Sequence, residues 1–286
     1  GACRVYEILA REELTPVTKL FVIHAPEVAR KAKAGQFVIV RVNESGERIP
    51  LTIADYDREA GTITIVFQEV GKTTRHLGLL RPGDALASLT GPLGLPSEIE
   101  YYGTVLCVAG GVCIALLYPI ARDLKKAGNY VISIIGTRNV GLLFWEDRIR
   151  SVSDELIVCT DDGSYGRKAL VPEPMKELLS SARTINRIWA IGPAIMMKFC
   201  CLASKPFGVK TIVSLNSIMV DGTGMCGACR VEVGGRTRFA CVHGPEFDGH
   251  EVDWDLLMSR QRMYLPEEKV ALERFEQDCA RHAKGS

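Results

Sequence analysis

The chain has 286 residues, enough for about two domains at roughly 150 residues each. Its 35 Lys and Arg against 34 Asp and Glu leave a formal charge of +1, with 47% apolar and 24% charged residues. That balance excludes a disordered chain and argues against a nucleic-acid binder, which would carry a basic excess or a basic face.

The opening Gly1-Ala2-Cys3-Arg4 has no apolar signal region, and the uncharged stretch from Tyr101 to Ala121 is interrupted by Gly110-Gly111 and Pro119. A buried strand, a glycine turn and a helix start account for that stretch better than a membrane span. The expectation is a cytoplasmic protein that binds neither membrane nor nucleic acid. Ten cysteines in a reducing compartment then point to metal or redox chemistry rather than disulfides. Cys3, Cys107, Cys113, Cys159, Cys200, Cys201 and Cys279 are scattered and read as small apolar fillers. Cys226, Cys229 and Cys241 are clustered.

Residues 1–98 read as an antiparallel β-barrel domain. Short β-branched runs, Phe37 to Val42 and Thr62 to Phe67, are bounded by Gly and polar turns, and a loop from Leu79 to Asp84 leads into a strand over Ala85 to Leu89. Between two of these strands lies Arg48-Ile-Pro-Leu-Thr52-Ile53. An Arg four residues before a hydroxyl suits a flavin site, the guanidinium for the pyrophosphate and the hydroxyl for the ring edge. A surface Arg and a turn Thr would read the same. Val70-Gly71-Lys72-Thr73-Thr74 opens a short helix whose free N–H groups suit phosphate. It is not a P-loop, because Val66 stands where that motif needs Gly.

Residues 99–210 alternate strands and helices, the pattern of a doubly wound parallel α/β sheet. Strands are expected at Val105 to Ala109, Tyr130 to Ile135, Glu155 to Cys159 and Arg187 to Ile191, and helices at Ile114 to Lys126 and Glu173 to Arg183. Gly110-Gly111, Thr137-Arg138, Asp161-Asp162 and Gly192-Pro193 each follow a strand. They therefore share the carboxyl edge of the sheet, where a dinucleotide binds. The Asp pair could equally be a helix cap. Neither G-x-S-x-G nor H-E-x-x-H is present, His24, His76 and His282 read as surface or satisfied residues, and no catalytic acid, base or nucleophile is expected.

Residues 211–286 are Gly- and Cys-rich and end in a charged helix from Pro266 to about Lys284. The spacing Asp221-x4-Cys226-x2-Cys229-x11-Cys241 is that of a plant-type [2Fe–2S] loop with Asp in place of the first Cys. Spacing alone leaves Asp221 open as the fourth ligand, since a carboxylate is harder than a thiolate. It also leaves open a structural zinc held by the three cysteines and His243.

Barrel, nucleotide domain and cysteine module in this order resemble the ferredoxin reductase-like electron-transfer proteins over essentially the whole chain. The segments Ser214 to Val231 and Phe239 to His250 are similar to the small subunits of bifurcating NADH-dependent reduced ferredoxin:NADP⁺ oxidoreductases, also known as sulfide dehydrogenase small subunits. In that group one Asp and three Cys hold the cluster, which implies Asp221, Cys226, Cys229 and Cys241. The electron-transfer subunits of dihydroorotate dehydrogenase are similar throughout but use four cysteines. In both groups the resemblance implies FAD against Arg48, Pro50, Leu51, Thr52 and Ile53, with Phe67 and Gly71, Lys72, Thr73 and Thr74. It implies NAD(H) at Gly110, Gly111, Thr137, Arg138, Asp162, Gly192 and Pro193. Relatives usually carry Gly at the position of Cys113, and preference for NADH rests on the resemblance alone. The implied partner is a larger iron–sulfur flavoprotein subunit, through which ferredoxin and NADP(H) would be reached. The helix from Glu267 to Lys284 would pack on its own domain or dock on that partner. Working against these implications are two other readings, a zinc-bearing nucleotide sensor and a reductase acting alone.

Overall fold

The computed structural model describes residues 4–215 and 230–262. Asp221, Cys226, Cys229, Cys3, Cys279, His282 and the helix expected from Pro266 lie outside the described residues.

Six antiparallel strands make the first layer: β1 (Ile8–Thr15), β2 (Thr18–His24), β3 (Phe37–Arg41), β4 (Arg48–Asp57), β5 (Thr62–Gln68) and β6 (Ser88–Leu93), in the order β1-β2-β5-β4-β3-β6. Alternation puts Phe21, Ile23, Val38, Val40, Ile53, Ile63, Ile65 and Phe67 on the inner face, all fully buried. Phe21 and Phe67 meet edge-to-face with centroids 5.1 Å apart. The sheet closes because Glu7 bridges Ala85 and the Ile8 N–H donates to the Asp84 carbonyl at 2.8 Å. The strand expected over Ala85 to Leu89 therefore divides, its first residues closing the barrel while β6 begins at Ser88. Two short helices, α1 (Pro26–Lys31) and α2 (Lys72–Gly78), connect strands.

The second layer contains β7 (Thr104–Gly110), α3 (Ile114–Lys126), β8 (Tyr130–Thr137), α4 (Glu146–Ser151), β9 (Glu155–Thr160), β10 (Arg167–Lys168), α5 (Pro172–Ser180), β11 (Arg187–Ile191), α6 (Ala194–Ser204) and β12 (Thr211–Ser214). The strand order β10-β9-β8-β7-β11-β12 is parallel throughout. α3 and α4 bury Ile114, Leu117 and Ile149 on one face, while α5 and α6 bury Met175, Leu179 and Met197 on the other. The order in which strands are added reverses between β7 and β11, so the crevice of this doubly wound sheet opens beside their carboxyl ends.

The remaining described residues form a hairpin of β13 (Arg230–Val233) and β14 (Arg236–Phe239), then α7 (Ala240–His243), β15 (Glu246–Asp248) and α8 (Trp254–Arg262). β15 adds to the large sheet, antiparallel to β12. The boundary expected at 210/211 falls just before β12, which pairs with β11 on one side and β15 on the other. Four residues between a turn and a change of composition gave the sequence no periodicity from which to assign them. Trp254, Leu257 and Met258 pack in the same core as α6.

Barrel and α/β layer share a core in which Leu20, Ala54 and Val66 meet Ile114 and Leu117. At its border Arg122 of α3 reaches Asp55 of β4 at 2.7 Å and lies 5.2 Å over the Tyr56 ring. This ion pair ties α3 of the second layer to β4 of the first.

Candidate functional site

The flavin candidates lie within β4, not between strands as the sequence suggested. Pro50 obscured this, because a proline cannot donate within a sheet interior. Here it is tolerated because the first half of β4 pairs on one side only. Phe37 stands opposite Thr52 and Ile39 opposite Pro50 on β3, whereas pairing with β5 begins at Ile53. The other backbone edge of 48–52 is therefore unpaired. Ile49 and Ile53 turn into the barrel core, Leu51 packs against it half-buried, and Arg48, Pro50 and Thr52 alternate on the outer side.

This edge is joined to the start of α2. The Thr73 hydroxyl donates to Glu47 Oε2 at 3.0 Å, directly before Arg48. Thr74 Oγ1 accepts from the N–H groups of Val70 and Gly71, both at 3.0 Å, and donates to the Gly71 carbonyl at 3.1 Å. One hydroxyl thereby fixes the turn that presents Gly71, Lys72 and Thr73. Lys72 and Arg48 are both exposed. Phe67 is placed differently: it is buried in the barrel core against Phe21, so its ring supports the edge from behind.

The dinucleotide candidates gather at the reversal point of the large sheet. Gly111 takes φ +61°, a left-handed turn that favours glycine. Gly110 and Gly192 stand side by side beneath Met196, where an added Cβ would lie 2.6 Å and 2.7 Å from its sulfur. Farther along the edge, the Asp161 N–H donates to the Thr137 carbonyl at 3.1 Å and the Asp162 N–H to the Arg138 carbonyl at 3.2 Å. Arg138 is exposed there, and the Thr137 hydroxyl is taken by the Asn139 carbonyl at 2.8 Å. Ser164 holds the Asp162 carboxyl below the usual range, its N–H donating at 2.9 Å. Asp162 therefore caps a turn, and no helix follows it. Cys113 turns away from the crevice into the α3 core, where burial pushes its thiol up to about 12.

Cysteines divide sharply by environment. Burial also lifts Cys107 and Cys201 to about 12 and Cys159 to about 11, so these thiols stay protonated and serve as fillers. Cys241 is only half-buried, at the start of α7, and is the one proposed cluster ligand among the described residues. His243 Nδ1 accepts the Phe239 N–H at 2.9 Å, which leaves only its other nitrogen for a metal.

The segment after Cys241 abuts the end of β6 beside β3, the strand on the paired side of β4. An added Cβ on Gly94 would lie 2.7 Å from Pro245 and 3.0 Å from Phe37, the strand partner of Thr52. Pattern reading missed Gly94, Met196, Asp55 and Arg122, since each acts through a neighbour distant in sequence.

Residues 216–253 match the family model described as the iron–sulfur cluster binding domain of dihydroorotate dehydrogenase B. Across the chain, similarity extends to the dihydroorotate dehydrogenase B electron transfer subunit homolog of Thermotoga maritima, 51% identical over 96% of this chain and 97% of that protein. The chain belongs to the dihydroorotate dehydrogenase B electron-transfer subunit family. A more distant member, from Desulforamulus reducens, is 32% identical over 87% of this chain and 97% of its own length. Among solved structures, one of the NADH-dependent reduced ferredoxin–NADP oxidoreductase is 50% identical, with a TM-score of 0.87 over 96% of this chain and 99% of that one. A ferredoxin NADP⁺ reductase from Neisseria gonorrhoeae, 20% identical, shares the fold over 71% of this chain and 90% of its own, with a TM-score of 0.58. The family match favours iron–sulfur over zinc in the cysteine module. The protein is an oxidoreductase subunit with an electron-transfer role, and no helix among its described residues is long and apolar enough to cross a membrane.

Proposed function

We propose that this subunit passes electrons between NAD(H), FAD and a [2Fe–2S] cluster, to or from a larger iron–sulfur flavoprotein subunit in the cytoplasm. The parent reaction is the bifurcating NADH-dependent transfer between reduced ferredoxin and NADP⁺. The carrying observation is the junction at Gly94, which packs between Pro245 of the Cys241 segment and Phe37, the strand partner of Thr52. FAD and cluster supply, when bound, the exchange between hydride pairs and single electrons that side chains cannot perform.

The protein's own residues bind and place these groups. The unpaired edge of β4 and the fixed turn at Gly71 fit an extended flavin nucleotide, with Arg48 on its pyrophosphate and Thr52 at its ring. Gly111, with open space where a side chain would stand, leaves room for a second dinucleotide at the sheet reversal, while Gly110 and Gly192 beside it make way for Met196; Arg138 lies exposed at the same edge. Asp221, Cys226, Cys229 and Cys241 would hold the cluster. An Asp at the first ligand position supports the oxidoreductase with NADP⁺ over the four-cysteine dihydroorotate subunits. The large subunit would carry the bifurcating flavin and the ferredoxin and NADP(H) sites.

An absorption spectrum of anaerobically purified protein, before and after NADH, tests the reading. Flavin bands over broad iron–sulfur absorption, both bleached by NADH, are expected. A colourless protein containing zinc would overturn it. Asp221→Cys should retain a cluster with a shifted potential, and an unaltered spectrum and potential would remove Asp221 from the ligand set.

A further inference from the structure

Glu246 lies where barrel, large sheet and cysteine module meet. Across 149 residues of sequence, the Ser97 hydroxyl donates to Glu246 Oε1 at 2.5 Å. Ser97 is buried just beyond β6, and its own N–H donates to the Ala34 carbonyl at 2.8 Å. The space exists because Gly35 carries no side chain: a Cβ there would stand 2.3 Å from Ser97 Oγ and 3.2 Å from Glu246 Oε1. Two backbone bonds flank this contact, Leu95 N–H to the Gly244 carbonyl at 2.7 Å and Leu215 N–H to the Pro245 carbonyl at 2.9 Å. On the sheet side Glu246 pairs with Ser214.

We propose that Glu246 is a positioning residue, whose bond to Ser97 clasps the Cys241 segment to the barrel strands bordering the flavin edge. The clasp rests on the functional reading above for its purpose, and on the geometry for its existence. Cys241 is joined to Glu246 through α7 and the Gly244-Pro245 turn, and Pro245 abuts Gly94 beside Phe37. Motion of the clasp therefore moves Cys241 relative to Thr52. Loss of water around the carboxyl raises it to about 7, against the pull of Ser97, the Trp189 indole and the Arg187 guanidinium, with Glu98 adding to the rise. Both charge states are then populated near neutrality. The carboxylate only accepts from Ser97, whereas the acid can also donate. The strength of the clasp thus follows pH in the working range.

The test uses the full-length holoprotein as wild type, Ser97→Ala and Glu246→Gln. Amide hydrogen exchange is followed in the stretches 94–97 and 242–248 between pH 6 and 8.5, corrected for intrinsic rates, and stopped-flow absorbance separates NADH-driven flavin bleaching from cluster reduction. Flavin bleaching should stay within about twofold of wild type in every variant. Cluster reduction should slow about fivefold in Ser97→Ala, the scale of one ordinary hydrogen bond. Its pH dependence near 7 should flatten in Glu246→Gln, and exchange in both stretches should rise in Ser97→Ala. Unchanged exchange together with an unchanged cluster-reduction profile would overturn the clasp. A wild type without flavin or cluster absorption would defeat the functional reading instead, and exchange in the two stretches would still decide the clasp.

Discussion

The two proposed nucleotide sites are made in opposite ways. At the barrel, the binding surface is backbone left without a partner, since the first half of β4 pairs only with β3. At the large sheet, the surface is side chain left out, with Gly110 and Gly192 packed under Met196 and Gly111 in a left-handed turn. An open strand edge tolerates many side chains around it but depends on a few charged anchors. A glycine crevice needs no anchors but tolerates almost no added atom. Arg48→Ala should therefore have the largest effect on ligand binding, weakening FAD by about thirtyfold to a hundredfold, the worth of a charge-assisted phosphate contact of roughly 2–3 kcal/mol. Fluorescence titration of the flavin-stripped protein checks this, and unchanged affinity would remove Arg48 from the site.

A second experiment probes what ties the two regions together. Glu246 is raised from its ordinary value to about 7, so the folded chain binds a proton that the unfolded chain releases in the window from about 4.5 to 7. Stability must then fall as pH rises through that window and level off above it. At about 1.4 kcal/mol per pH unit, discounted for the partial exposure of the residue, the loss is about 2 kcal/mol. Urea midpoints at pH 5 and pH 8 should differ in wild type, and this contribution should vanish in Glu246→Gln.

Gly192→Ala sharpens the contrast from the crevice side. The new methyl would meet Met196 at 2.7 Å, an overpacking cost of about 1–2 kcal/mol. Met196→Ala in the same chain should recover part of it, and strictly additive losses by urea denaturation would show that the two do not touch. The smallest effect belongs to Thr74→Val, which removes the cap of α2 and should cost about 1 kcal/mol, read as faster proteolysis near Gly71.

Legibility in the sequence followed the same division. The helix from Ile114 to Lys126 and the strand from Arg187 to Ile191 stand where their apolar runs put them, because each buries most of that run in the core. The glycine turns were readable because a missing side chain is itself a sequence signal. The open edge of β4 was not, since Pro50 resembles a turn until the lack of a partner on one side is known. β10, of two residues, carries no periodicity at all. Neither the Asp55–Arg122 pair nor the Ser97–Glu246 contact leaves a local pattern, because each joins residues remote in the chain. Ile53 and Phe67 are expected from the sequence to line a flavin site, and only the strand register shows that their side chains turn into the barrel core.

β15 has a consequence for anyone who would transplant this module. The strand that follows Cys241 is stitched onto the rim of the nucleotide sheet, so the cluster-bearing portion is not a bead on a string. A chimaera cut after Leu215 would leave β12 with a bare, apolar rim, an invitation to self-association. A graft that brings the cysteines to a simpler reductase must bring β15 as well, and must find on the recipient a strand willing to receive it.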